Sequence, residues 1–254
     1  MKFLIKLLKH AWTIFAVCLS VGVVVSNLEK KKGWVEGHRP GFYEKYIKRA
    51  LDLGISLFAM FFLWPVFLIT GILVRAKLGS PVLFKQERPG LDGEVFEIRK
   101  FRTMTDEKDS NGNLLSDEER LTGFGKILRR TSLDELPELL NIICGDMAIV
   151  GPRPLLVEYL QYYSDRERKR HDVRPGLTGL AQVHGRNTLE WERRFEMDVS
   201  YATHVTFLGD LKIIVDTIWA VVSKKNILIN GLEDFNVYRG RQMECKMGME
   251  YTNS

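Results

Sequence analysis

From Leu53 to Val74 the chain carries no charged residue. At 1.5 Å per residue a helix over that run is roughly 33 Å long, enough to cross a hydrocarbon core of about 30 Å. Two features oppose a plain crossing. Pro65 lies at the middle, where it removes the hydrogen bond to the Phe61 carbonyl and bends the helix. Lys45, Lys48 and Arg49 precede the run and Arg75, Lys77 and Lys85 follow it, so the positive-inside rule asks for both ends on the cytoplasmic side. A helix broken at Pro65 that enters and leaves one leaflet satisfies both observations. An ordinary kinked spanning helix satisfies only the first.

The rest of the chain is organised around this element, residues 42–80. Residues 1–27 place Lys2, Lys6 and Lys9 ahead of the apolar stretch Ala11 to Val25. That stretch is short for a span and lacks a small-residue cleavage site, so an uncleaved membrane-associated helix is expected. Residues 28–41 read as a linker. Residues 81–230 read as one cytoplasmic catalytic domain, and residues 231–254 as a polar, loosely ordered tail. Val82 to Gln86 and Glu94 to Lys100 alternate as strands around Pro89, Gly90 and the Asp92-Gly93 turn signal, which predicts a hairpin. Helices are expected over 121–130, over 155–171 and within 191–222. The aromatics Trp191, Phe195, Tyr201, Phe207 and Trp219 serve either as core or as interface anchors. The fold class that results is α+β, mainly helical: a membrane-associated single catalytic domain with a re-entrant helix and a small β-hairpin.

A net charge of +5 and a pI near 9.0 point to an anionic partner, whether nucleic acid, nucleotide or anionic lipid. Cys18, Cys144 and Cys245 are odd in number and far apart, as expected of reduced thiols. No P-loop, GxGxxG or HExxH is present, and His171, His184 and His204 lack ligand spacing.

The most concentrated chemistry lies in Thr131 to Pro154, TSLDELPELLNIICGDMAIVGPRP. Asp134 and Glu135 open an apolar helical run, with Arg129, Arg130 and Arg153 nearby in sequence. Two readings stand together. Ser132-Leu133-Asp134-Glu135 fits a capping box, in which serine and glutamate satisfy each other's backbone donors. A carboxylate pair amid fixed positive charge also suits work on phosphates. Pro137 falls late for the first turn of a helix capped by Ser132, which favours a distorted turn. Lys100 and Arg102 are either solvated edge charges or part of an anion site. Arg174 and Arg186, held in Arg-Pro-Gly and Gly-Arg-Asn turns, suit phosphate clamping.

FKQERPG, RKFRTM, SLDELPELLNIICGDMAIVGPRP and RPGLTGLAQVHGRN, in this order, resemble the bacterial sugar transferase family, the monotopic phosphoglycosyl transferases. The resemblance covers residues 42–222, and it is to the small members that start glycans for protein glycosylation. It implies an enzyme on the cytoplasmic face of the bacterial inner membrane. The reaction would move a sugar 1-phosphate, N-acetylated by analogy with the short members, from a UDP-sugar to undecaprenyl phosphate, with release of UMP and a requirement for Mg2+. Carried over, Asp134 is the nucleophile and metal ligand and Glu135 its catalytic companion. Arg129, Arg153, Arg174, Lys100, Arg102 and Arg186 bind substrate phosphates. The implied partners are UDP-sugar, undecaprenyl phosphate, the bilayer and downstream glycosyltransferases, but not nucleic acid. The competing expectation is a membrane-anchored scaffold that gathers anionic partners without catalysis.

Overall fold

The computed structural model describes residues 40–185, 189–223 and 234–240. The expected helix over 1–27, nearly all of the 28–41 linker, most of the tail, and Arg186 lie outside them. The chain divides into two compact units, residues 1–86 with 97–149, and residues 87–96 with 150–254. Each unit has its own apolar cluster.

In the first unit, helix α1 (Arg49–Leu78) continues a π-helical turn at Tyr43–Lys48. It runs through Pro65 without interruption, so the expected break is not a break in helical structure. Proline removes one hydrogen bond, but its own φ is helical, and the flanking turns can carry the helix past it. The middle of α1 is exposed, with Phe58, Phe61, Phe62, Trp64, Leu68 and Ile69 all outward. Both ends are fixed to the same unit. At the start, Arg49 donates to the carbonyls of Ile142 (2.7 Å) and Ile143 (3.2 Å), and Asp52 accepts from the Ile149 N–H at 3.1 Å. At the far end, Val74 and Leu78 pack with Phe101 and Leu128. Each such apolar side chain contributes roughly 1.5–3 kcal/mol when buried.

The hairpin forms as predicted, shifted by one to three residues: β1 (Leu83–Pro89) pairs with β2 (Val95–Phe101). Its turn is a 3-10 element, Leu91–Gly93, in which Asp92 (φ 58) and Gly93 (φ 76) adopt left-handed backbone. That is the conformation their residue types tolerate best. Helix α2 (Gly123–Thr131) and helix α3 (Glu138–Cys144) follow, joined by the acidic turn.

In the second unit the helix expected over 155–171 is broken into a 3-10 segment (Val157–Tyr162), a short helix (Asp165–Arg168) and a 3-10 turn (Lys169–His171). Ser164 supplies the reason. Its hydroxyl accepts from the Glu167 N–H and Glu167 reaches back, a capping box that starts a new helix where the hydrophobic period would have continued the old one. Helices α4 (Trp191–Thr203) and α5 (Phe207–Val222) are separated at 204–206, and Thr206 caps the second. The five aromatics split. Trp191, Phe195 and Tyr201 are buried, whereas Phe207 and Trp219 are exposed. The tail also departs from expectation, because residues 235–240 are helical. Phe235 is fully buried among Tyr159, Tyr163, Trp191 and Phe195, and Arg239 pairs with Glu167. A lone phenylalanine has no period to reveal it; only its partners do.

Candidate active site

The acidic turn is built by the end of α2. Ser132 adopts left-handed backbone (φ 56, ψ 19) and its N–H closes that helix on the Arg129 and Leu128 carbonyls. The following 3-10 turn, Leu133–Glu135, carries the acid pair, and Ser132 makes no side-chain cap bond to it. The capping-box reading is thus overturned, because Ser132 terminates one helix rather than starting the next. Glu135 instead accepts from Lys100 Nζ at 2.9 Å. Pro137 is the N-cap of α3 with φ −64, which explains its late position: the apolar run is two elements, not one.

Asp134 is 8 % exposed. Lys100, near the end of β2, bridges two carboxylates at 2.9 Å each, Glu135 and Glu138. Glu138 was not singled out in the sequence, although it lies three residues from Glu135, the spacing that brings helical side chains to one face. One ammonium against two carboxylates leaves this trio with a net negative charge. Among the described residues no group of three or more His, Cys, Asp or Glu side chains could cage a metal. Mg2+ does not need such a cage, since it is commonly held by one or two carboxylates plus substrate phosphates, and Asp134 fits that donor set.

The basic residues divide by role. Arg129 donates to Thr103 Oγ1 at 3.1 Å and remains exposed, able to meet an anion. Arg102 is buried and committed: it donates to the carbonyls of Pro81 (3.3 Å) and Met104 (3.5 Å) and pairs with Asp106 at 3.0 Å. It braces the exit of the hairpin.

In the second unit two motifs distant in sequence meet. The Gly151 N–H donates to Thr178 O (2.9 Å) and the Gly176 N–H to Pro152 O (3.0 Å). A Cβ on Gly151 would lie 2.3 Å from the Arg174 carbonyl. The turns bearing Arg153 and Arg174 are therefore packed backbone to backbone. Arg170 fixes the first of them, donating to the Arg153 carbonyl at 2.6 Å and pairing with Asp198 at 2.8 Å. Burial pushes the Asp198 carboxyl up and the Arg170 charge pulls it back. His171 donates from Nδ1 to the Gly90 carbonyl (3.2 Å); burial first, then the Arg170 charge, lowers its pKa to about 3, so it is neutral. Arg170 ends the charged run Asp165 to Arg170, and most such runs are solvated faces. The ion pair and the carbonyl acceptors are what the sequence did not show.

A long apolar helix with so much exposed surface, fixed at both ends to the unit that carries the acid pair, fits membrane association. Its sequence is more specific. The chain belongs to the bacterial sugar transferase family, which matches residues 43–224. It is 50% identical over 181 residues to an uncharacterized sugar transferase, EpsL, of Bacillus subtilis, covering 71% of this chain and 90% of that one. It is 39% identical to the exopolysaccharide production protein ExoY of Sinorhizobium fredii (68% and 84% covered). It is also 38% identical to a UDP-glucose:undecaprenyl-phosphate glucose-1-phosphate transferase of Caulobacter vibrioides (70% and 71% covered). ExoY is named for exopolysaccharide production, where protein glycosylation had been expected of the short members.

Proposed function

We propose that the protein moves a sugar 1-phosphate from a UDP-sugar to undecaprenyl phosphate at the cytoplasmic face of the bacterial inner membrane. The observation that carries this reading is the acid pair on a 3-10 turn, Asp134 buried and Glu135 partly exposed beside Lys100, in the same unit that clamps both ends of the apolar helix. Asp134 attacks the β-phosphorus of the UDP-sugar; the bond to the UMP oxygen breaks and UMP leaves, with the phosphosugar held on the aspartate. A phosphate oxygen of undecaprenyl phosphate then attacks the same phosphorus and frees the Asp134 carboxylate. Two displacements replace a single attack of one anion on another. Glu135, oriented by Lys100, assists the second attack. Lys100, Arg102, Arg129, Arg153, Arg174 and Arg186 are the proposed phosphate contacts, Arg102 while also bracing the hairpin. When bound at Asp134, Mg2+ offsets the charge of the diphosphate.

The re-entrant path of α1 is part of the proposal. Its support is that Arg49 and Leu78, near opposite ends of the helix, both pack on one unit. A unit on one side of the bilayer then keeps both helix ends on that side, with the Phe58 to Ile69 stretch dipping into lipid. The apolar strip of α5, Phe207, Leu208, Leu211, Val215, Ile218 and Trp219, supports a second contact with the bilayer. The sugar is read two ways: relatives are named for glucose and galactose, and the short members suggest an N-acetylated one. Downstream glycosyltransferases would use the product.

The test is UMP release by membranes given undecaprenyl phosphate and a panel of UDP-sugars, glucose, galactose and their N-acetylated forms. Wild type should turn over one of them, Asp134→Ala none, and rapid quenching should trap the phosphosugar on Asp134. Turnover by Asp134→Ala removes the nucleophile. In intact cells, amine labelling from outside should miss Lys45 and Lys77; labelling of either removes the re-entrant path.

A further inference from the structure

Lys100 is held from two sides that differ in kind. Glu135 is about one-fifth exposed, as is Lys100 itself, whereas the Glu138 side chain is 2% exposed. Burial of a carboxylate is costly unless it is paired, so the Lys100 to Glu138 bond is the one the fold protects. The scaffold behind it is rigid. Asn141, one turn along α3 from Glu138, accepts from the Arg99 N–H at 3.1 Å and donates to the Glu97 carbonyl at 2.7 Å, which locks α3 to β2 next to Lys100. Arg49 ties down the far end of the same helix through Ile142 and Ile143. An ammonium has three N–H donors, of which one goes to Glu135, while Glu138 holds the same charge as an ion pair at 2.9 Å.

We propose that Glu138 is a positioning residue for the reaction: its charge tethers the Lys100 ammonium, so that Lys100 keeps Glu135 oriented and can turn another N–H toward an anionic oxygen of the substrate. The inference rests on the transferase reading above. Glu138 acts on the reaction through Lys100 and is no catalytic residue itself.

The experiment is a double-mutant cycle on UMP release, using the full chain in membranes and thermal midpoints to confirm folding. Glu138→Gln keeps an oxygen acceptor for Lys100 and should stay within about three-fold of wild type. Glu138→Leu should lower kcat by about ten- to hundred-fold, because the ion pair that holds the Lys100 ammonium is lost. In a Lys100→Met background, Glu138→Leu should cost nothing further in kcat. Wild-type kcat in Glu138→Leu overturns the tether, as do losses that multiply in the double variant. Failure of wild type to turn over any UDP-sugar defeats the transferase reading instead.

Discussion

The Arg170–Asp198 pair allows the sharpest test of how the second unit is held together. Arg170 is 2% exposed and Asp198 3%. The guanidinium donates to Asp198 Oδ2 from Nε (3.1 Å) and Nη2 (2.8 Å), and to the Arg153 carbonyl at 2.6 Å, between the rings of Tyr163 and Phe195. Asp198→Asn leaves that guanidinium charged and sealed with only neutral acceptors. Breaking one side of a buried pair costs about 3–5 kcal/mol. For a chain of this size that lowers the melting midpoint by roughly 6–20 °C. Arg170→Met should cost as much, by stranding the Asp198 carboxylate. Arg170→Met with Asp198→Leu removes both charges and should cost less than either single change, retaining a loss of about 1–3 kcal/mol from the stranded Arg153 carbonyl. Thermal melts of the detergent-solubilised full chain, followed by circular dichroism, read all three. Midpoints of the single variants within 2 °C of wild type, about 1 kcal/mol or less, would refute the reasoning. So would a double variant that melts at the sum of the two losses.

Acid should weaken the protein through His171. Its folded pKa of about 3 lies below the ordinary 6.5, so its contribution is complete above pH 6.5 and is lost as pH falls toward 3. Between pH 7 and pH 5 this site alone should remove about 2 kcal/mol. His171→Gln, which can still donate to the Gly90 carbonyl, should flatten that part of a urea-denaturation series across pH. An unchanged slope assigns the acid sensitivity to other groups.

Much of this protein can be read from the order of its residues. The uncharged run Leu53 to Val74 dictated a long apolar helix, because no aqueous surface accommodates it. Alternation around Asp92-Gly93 dictated the hairpin, and the spacing of the Arg-Pro and Asp-Glu motifs sufficed to indicate the family. Local sequence could not settle which partner a polar side chain would take. Ser132 was equally able to open a helix or to close one, and only the left-handed end of α2 decided it. Arg102 and Arg129 carry the same charge, yet one is spent on the Pro81 and Met104 carbonyls while the other stays at the surface. Glu138, Arg170 and Phe235 looked like ordinary surface residues until strands and helices distant in sequence closed over them. Apolar periodicity is a property of neighbours along the chain and survives in a one-dimensional reading. The pairing of buried charges is a property of neighbours in space, and it exists only once the fold has excluded water.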